Sequence, residues 1–500
     1  MKALLVYPAY PDTFWSFRYA LKLVNKKASH PPLGLLTVAS LLPTDWKLKL
    51  VDLNVEALRE NDIKEVDLVL ISAMSVQRES AEEVIRKAKS HGKKILAGGP
   101  LFTAFWQDFE RLVDHLILGE AEVTLPTFLK DLKEGTPKRI YYPDRFADLT
   151  QSPIPAYNLI SFSHYSSMSL QYSRGCPFNC EFCEVTNLFG HQVRTKRVEQ
   201  VLEELENLYK LGWRGSLFIV DDNFIGGKRK VKEELLPAII KWQQKNKYPF
   251  YFYTQVSINL ADDEELIDLM VKAGFTAVFI GIETPSEDSL LEANKIQNKN
   301  RNLVEDIRKI QRSGLEVMGG FILGFDNDPS DIFNRLINFI KESRIVIAMV
   351  GLLNAPPGTK LYKKLLAEGR IKPHFKGDNT DMSTNIIPKI GYQNLLEGYK
   401  EVIRSLYHRR AYYERISAFL EDFTWKTPFT PDFQYIRVNY SYLLGILKIL
   451  IKFGLLEGDR KNFWKLIFKT LWKKPQNISV VLAQIASGYH FRCIFKEAFS

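Results

Sequence analysis

Three cysteines within eight residues, Cys176, Cys180 and Cys183 of the segment Arg174-Gly-Cys-Pro-Phe-Asn-Cys-Glu-Phe-Cys183, carry the plainest chemistry in this 500-residue chain. Thiolates are the usual protein ligands of iron–sulfur clusters, so three on one loop can hold three irons of a [4Fe–4S] cluster. The fourth iron then has no ligand from the loop and can bind a substrate or cofactor. A structural zinc ion needs four ligands and would have to recruit His191 or the one remaining cysteine, Cys493. A disulfide would leave one thiol over, and four cysteines in so long a chain point to a reducing compartment. The cluster is the reading kept, with the three cysteines as its ligands and catalytic centre.

The elements that would carry such a loop are legible around it. Candidate strands at 169–173, 216–220, 250–256, 277–282, 316–323 and 345–352 alternate with amphipathic helices such as Val198–Lys210. Six such units make a partial, TIM-like (β/α)6 barrel, with its site at the carboxyl ends of the strands. The cysteine loop follows the first strand. Asp221 and Asp222 follow the second; Asp222 suits a ligand's ammonium group, although paired acids there can also cap a helix. Gln255 and Ser257 end the third strand as hydrogen-bonding groups. Glu283, in Gly-Ile-Glu-Thr-Pro285, ends the fourth. Gly320 and Gly324 end the fifth, where a missing side chain would let a flat ring approach.

Residues 1–140 show the same alternation, with strands at 2–7, 48–51, 68–72 and 94–97 and helices at 33–42 and 79–89. This is the pattern of an α/β, parallel, Rossmann-like (flavodoxin-like) domain. Ligands of such sheets bind beyond the carboxyl ends of the strands, which singles out Ser72-Ala-Met74 and Gly98-Gly99-Pro100. The division expected is therefore 1–140, 165–360 for the barrel, and a helical region over 361–500.

Several segments resemble the cobalamin-binding radical S-adenosylmethionine (SAM) proteins, in particular the hopanoid C-methylase subgroup. They include 11–17, Pro31-Pro-Leu-Gly-Leu-Leu-Thr37, Val220-Asp-Asp-Asn-Phe-Ile-Gly226, 279–285 and 348–359. Gly119-Glu-Ala-Glu122 is similar to a further element recurring in such proteins. The resemblance runs from Met1 to about Leu420 and implies a cluster whose open iron chelates SAM. It implies SAM contacts at Asp222, Gln255, Ser257, Glu283, Gly320 and Gly324, and a cobalamin tail lined by Ser72, Met74, Gly98 and Gly99. The Asp-x-His-x-x-Gly motif that supplies a lower cobalt ligand elsewhere is absent, and His30 does not match it, so cobalamin is expected without a protein histidine ligand. Glu184 stands where the family more often has Asp. An unactivated C–H bond needs radical chemistry, which cofactors carry. The implied reaction is C-methylation of a lipid-like substrate, with an electron donor such as flavodoxin or ferredoxin. Ring or C–C bond formation without methylation is the alternative. Methylthiotransferases of RNA usually carry extra N-terminal cysteines, and none precedes Cys176 here.

The net charge is +10, and from Lys426 onward twelve Lys/Arg stand against four Asp/Glu. Aromatics alternate with lysines over 462–474. A basic patch of this kind serves nucleic acid, an anionic membrane surface or only a solvated helix face. Nucleic acid is not the partner expected of this chemistry; peripheral membrane contact through the C-terminal region is the alternative to an ordinary bundle helix. The apolar run at the N-terminus is too short for a signal peptide, and no stretch reaches the roughly 18 apolar residues of a spanning helix. A cytoplasmic enzyme is expected.

Overall fold

Two parallel sheets form because two sets of short, apolar, β-branched runs are each separated by helix-length segments. The structure, a computed structural model, describes residues 1–373, 375–378, 380–429 and 433–499, with side chains described for all but 433–441 and 497. The first sheet contains β1 (Lys2–Tyr7), β2 (Lys47–Asp52), β3 (Leu68–Ser72), β4 (Lys94–Gly98), β5 (His115–Ile117) and β6 (Ile140–Tyr141). Its order, β2-β1-β3-β4-β5-β6, is the flavodoxin-like winding. The order reverses between β1 and β3, which opens a crevice at their carboxyl ends.

The second sheet contains β7 (Met168–Leu170), β10 (Gly215–Ile219), β11 (Phe250–Val256), β12 (Phe275–Glu283), β13 (Glu316–Leu323) and β14 (Ala348–Leu352), parallel and in that order. It is an open six-stranded barrel. A two-stranded antiparallel ribbon, β8 (Ser173–Arg174) with β9 (Arg194–Thr195), brackets the cysteine loop.

The first barrel strand departs from expectation. The run 169–173 breaks after Leu170 because the backbone N–H groups of Tyr172 and Ser173 donate to the Asp221 carboxylate, both at 2.8 Å, rather than to a ladder. The periodic stretch 395–420 likewise forms two helices, Tyr392–Tyr407 and Arg409–Asp422, divided at His408, whose ψ of 134° is extended.

The first of these helices covers the open edge of the barrel. The hydroxyls of Tyr399 and Tyr407 donate to the Val350 and Ala348 carbonyls of β14 at 3.1 and 2.5 Å, and Arg415 donates to Val346 O at 3.0 Å. Side chains thus occupy the acceptors that a seventh strand would have used, which is one way to blunt an edge. The helix Ile478–Ile494 closes the other end: Gln484 donates to Glu316 at the foot of β13, 2.9 Å away. The same helix returns to the N-terminus, where the Phe491 ring stacks on Phe14 with centroids 4.1 Å apart.

Candidate active site

Inside the barrel the strand residues alternate. Leu217, Phe252, Val278, Val317 and Val350 are sealed against the outer helices, whereas Phe218, Tyr253, Phe279, Met318 and Met349 keep accessible surface. A period-2 strand sends the second set inward, so the interior is an open chamber with an aromatic and thioether wall. The first domain adds to it. Trp15 meets Phe279 edge-on at 5.4 Å and donates to the Met349 sulfur at 2.9 Å. His30 enters from a loop whose Ala28 bridges to Tyr165, and its ring nitrogen is engaged by the Tyr253 hydroxyl. Burial lowers the His30 pKa to about 4, so the ring is neutral near pH 7.

The cysteine loop lies at the carboxyl end of this chamber. Gly175, at φ +92°, starts it where a Cβ would fall 2.5 Å from the Gln192 carbonyl. Glu181 N donates to Ala293 O and Asn294 Nδ2 to Asn179 O, so the turn that ends the short helix Glu287–Glu292 after β12 pins the loop. All three thiols are free and partly accessible. Burial raises each thiol's pKa, that of Cys183 to about 12, while Lys295 acts on all three in the opposite sense. Among the described residues no three His, Cys, Asp or Glu side chains converge as on a single metal ion. Three thiols on one loop, close enough to influence one another, fit a multi-iron cluster in which each would bind a separate iron.

Lys295 was not singled out by sequence, because an isolated lysine after a turn carries no spacing signal. Its ammonium lies 2.7 Å from Glu283, with the Glu283 side chain buried and that of Lys295 largely so. Glu283 takes a left-handed φ of 69° at a register shift between β12 and β13. That conformation folds its carboxylate back over Gly281, where an added Cβ would collide with the Glu283 Oε1.

The two aspartates divide. Asp221 is fully buried and accepts from Tyr172 N, Ser173 N and Ser173 Oγ; burial raises its pKa to about 7. It is committed to shaping the strand end. Among the described residues Asp222 accepts one long bond from another residue, 3.4 Å from Gly175 N, and burial raises its pKa to about 6, so acceptor capacity remains beside the cysteine loop. The side chain of Gln255 has no hydrogen-bond partner within the described residues, while its backbone sits in the β11–β12 ladder. Ser257 is engaged with Asn223 and Asn259, at 3.2 and 2.5 Å. Neither Gly320 of β13 nor Gly324 just past its end opens onto an empty slot: the Phe279 ring lies against Gly320, 2.6 Å from a built Cβ, and Gly324 faces Leu395 of a C-terminal helix. The space over Gly320 is thus taken by the Phe279 ring in this structure.

In the first domain Ser72 and Gly98 are in register at the ends of β3 and β4. Gly99, at φ +89°, brings its Cα against Ser72 Oγ, and Leu101 N donates to Ala73 O at 2.9 Å. These glycines close two loops on each other and leave the Ser72 hydroxyl without a hydrogen-bond partner within the described residues. Met74, 40% exposed, stands beside it. A free hydroxyl at the crevice beside the winding reversal fits a cofactor tail there.

Glu120 and Glu122 join the two halves. Arg174 donates to Glu120 at 2.8 Å and to Glu122 at 2.7 Å; Arg194 donates to Glu120 at 3.0 Å, all largely buried. Burial would raise the Glu122 pKa, but Arg174 outweighs it and holds the carboxyl below its ordinary value. A motif of the first sheet thus grips the arginines on both flanks of the cysteine loop.

Comparison with known proteins gives matches to the B12 binding domain over residues 23–129 and the radical SAM superfamily over 170–340, then to a domain of unknown function (DUF4070) over 359–500. An uncharacterized methyltransferase of Synechocystis is 40% identical over 496 residues, spanning 98% of this chain and 91% of its own. The hopanoid C-2 methylase of Rhodopseudomonas palustris is 31% identical over 505 residues, spanning 99% and 94%. Among solved structures, the cobalamin-dependent SAM radical enzyme OxsB, with aqua-cobalamin and SAM bound, superposes with a TM-score of 0.57 at 17% identity, covering 100% of this chain and 79% of that one.

Proposed function

This chain belongs to the cobalamin-binding radical SAM methyltransferases, the family of the hopanoid C-2 methylase, and from that membership we propose that it methylates an unactivated carbon of a polycyclic, lipid-like substrate. The observation that carries the substrate class is the chamber itself. Its wall of Trp15, Phe218, Phe279, Met318 and Met349 offers large apolar surfaces and few hydrogen bonds to a guest, which suits a fused hydrocarbon skeleton. His30 and Tyr253 are the polar exception and suit an orienting contact to a single oxygen function.

When bound, the [4Fe–4S] cluster and SAM supply radical C–H activation and cobalamin supplies the methyl group. The residues proposed to hold them are Cys176, Cys180 and Cys183 for the cluster, Asp222, Gln255 and Glu283 for SAM, and Ser72 and Met74 for the cobalamin tail. Lys295 places a positive charge beside thiolates that burial disfavours. The Glu120–Arg174–Glu122 clamp fixes the cysteine loop relative to the first domain, which is the alignment that two reaction partners from different domains require. The apolar wall excludes water and other hydrogen donors from the reacting carbon. An external one-electron donor of the flavodoxin or ferredoxin kind completes the system.

The test is an anaerobic reaction of the cluster- and cobalamin-loaded chain with SAM carrying a deuterated methyl group and a panel of pentacyclic lipids. A product heavier by one labelled methyl supports the proposal. Loss of hydrogen without methyl gain would replace it with non-methylating ring or bond formation, and turnover of polar substrates alone would overturn the lipid class.

A further inference from the structure

The last helices carry more apolar surface than the fold uses. Their inner faces are complete: Ile449 and Phe453 of one arm, and Phe463, Leu466 and Ile467 of the next helix, are buried. The outward faces should then be polar, yet they are not. Leu443 and Leu447 form an exposed i, i+4 stripe on the helix Phe433–Ile451, and Leu456, 77% exposed, continues it past the end. On the helix Arg460–Lys473, Phe468 and Trp472 form a second stripe, with Trp472 90% exposed. Trp464 joins the two: its indole donates to Gly454 O at 3.0 Å, and its ring stacks on Phe468 at 5.5 Å.

The charge on these helices has one sign. No Asp or Glu occurs over 433–456 or 460–474. Lys461, Lys465 and Lys473 are exposed and, among the described residues, pair with no carboxylate. The intervening turn holds two acids: Glu457, already held by Arg409 at 2.5 Å, and Asp459, which accepts from the Asn462 amide at 2.8 Å. Among the described residues no helix is long and apolar enough to cross a membrane.

We propose that this face docks on the surface of an anionic lipid bilayer. The leucines and the Phe468 and Trp472 rings enter the headgroup–acyl boundary, where amphipathic aromatics settle, and the unpaired lysines meet lipid phosphates. A second copy of the chain fits less well, because two such faces would bring unneutralised lysines together. The inference rests on the C-terminal helices alone and stands whether or not the substrate is a lipid.

Sedimentation of the full chain with vesicles of phosphatidylcholine, with and without phosphatidylglycerol, tests it. The expected result is binding that needs phosphatidylglycerol and weakens with salt. The double variant Leu456→Ser/Trp472→Ser, and separately Lys461→Glu/Lys465→Glu/Lys473→Glu, should each lower the partition at least about tenfold, since burying one large apolar side chain alone is worth about that much. Helical circular dichroism and iron content should stay unchanged. No binding to anionic vesicles, or binding indifferent to both variants, overturns the proposal. A dimer that the variants convert to monomer, without vesicle binding, assigns the face to a second copy instead.

Discussion

Lys295 and Glu283 form a largely buried pair whose ammonium also acts on the cluster thiols. Lys295→Met leaves the Glu283 carboxylate buried and unpaired, a loss of about 3–5 kcal/mol for such pairs. Denaturant unfolding should read that loss, and the double variant Lys295→Met/Glu283→Gln should recover most of it. Iron retention after reconstitution should fall in the single variant and stay low in the double, because neither restores positive charge beside the thiols. Gly281→Ala tests the same spot from the backbone side: the added methyl meets the Glu283 carboxylate and, at 3.0 Å, the Lys295 ammonium. Crowding of this kind costs about 1–3 kcal/mol, and a lowered thermal midpoint with weakened SAM binding is the expected outcome.

At the scale of elements, the edge of the barrel makes a separable prediction. Tyr399→Phe and Tyr407→Phe each strip a hydroxyl from a β14 carbonyl without changing the rings, so each should cost about 1 kcal/mol in unfolding, nearly additively. The strands were readable because their apolar runs are short and regular: β3, β11 and β13 fall where alternation and length place them. The break after Leu170 was not readable. It is made by Asp221, 49 positions beyond Tyr172, and no local pattern reports a long-range acceptor. The same limit hid Lys295 and the inward course of His30. Cysteine spacing was legible because a cluster loop needs its ligands close in sequence. The approach of the Phe279 ring to Gly320 was not, because a glycine carries no mark of the side chain that will pack on it.

Across the whole molecule, two histidines, the half-buried His30 and the buried His490, sit on seams with the first domain. His30 reaches into the barrel, and His490 of the last long helix contacts the Thr13 and Phe14 carbonyls at 3.2 and 3.0 Å. Burial lowers both pKa values to about 4 from 6.5. A depressed histidine binds fewer protons folded than unfolded, so its stabilising contribution is complete above about pH 6.5 and is lost as pH falls toward 4, up to about 3 kcal/mol for each. Thermal midpoints should therefore drop across that window, and His490→Gln should flatten the decline while lowering stability at pH 7. The grip of Glu120 and Glu122 on Arg174 and Arg194 bears on how such enzymes can be recombined. A chimera that imports a foreign first domain inherits a cysteine loop whose anchors were cut for other hands. Only exchanges that carry the glutamates and arginines together should keep the metal loop in place, so the heritable unit spans the join between domains.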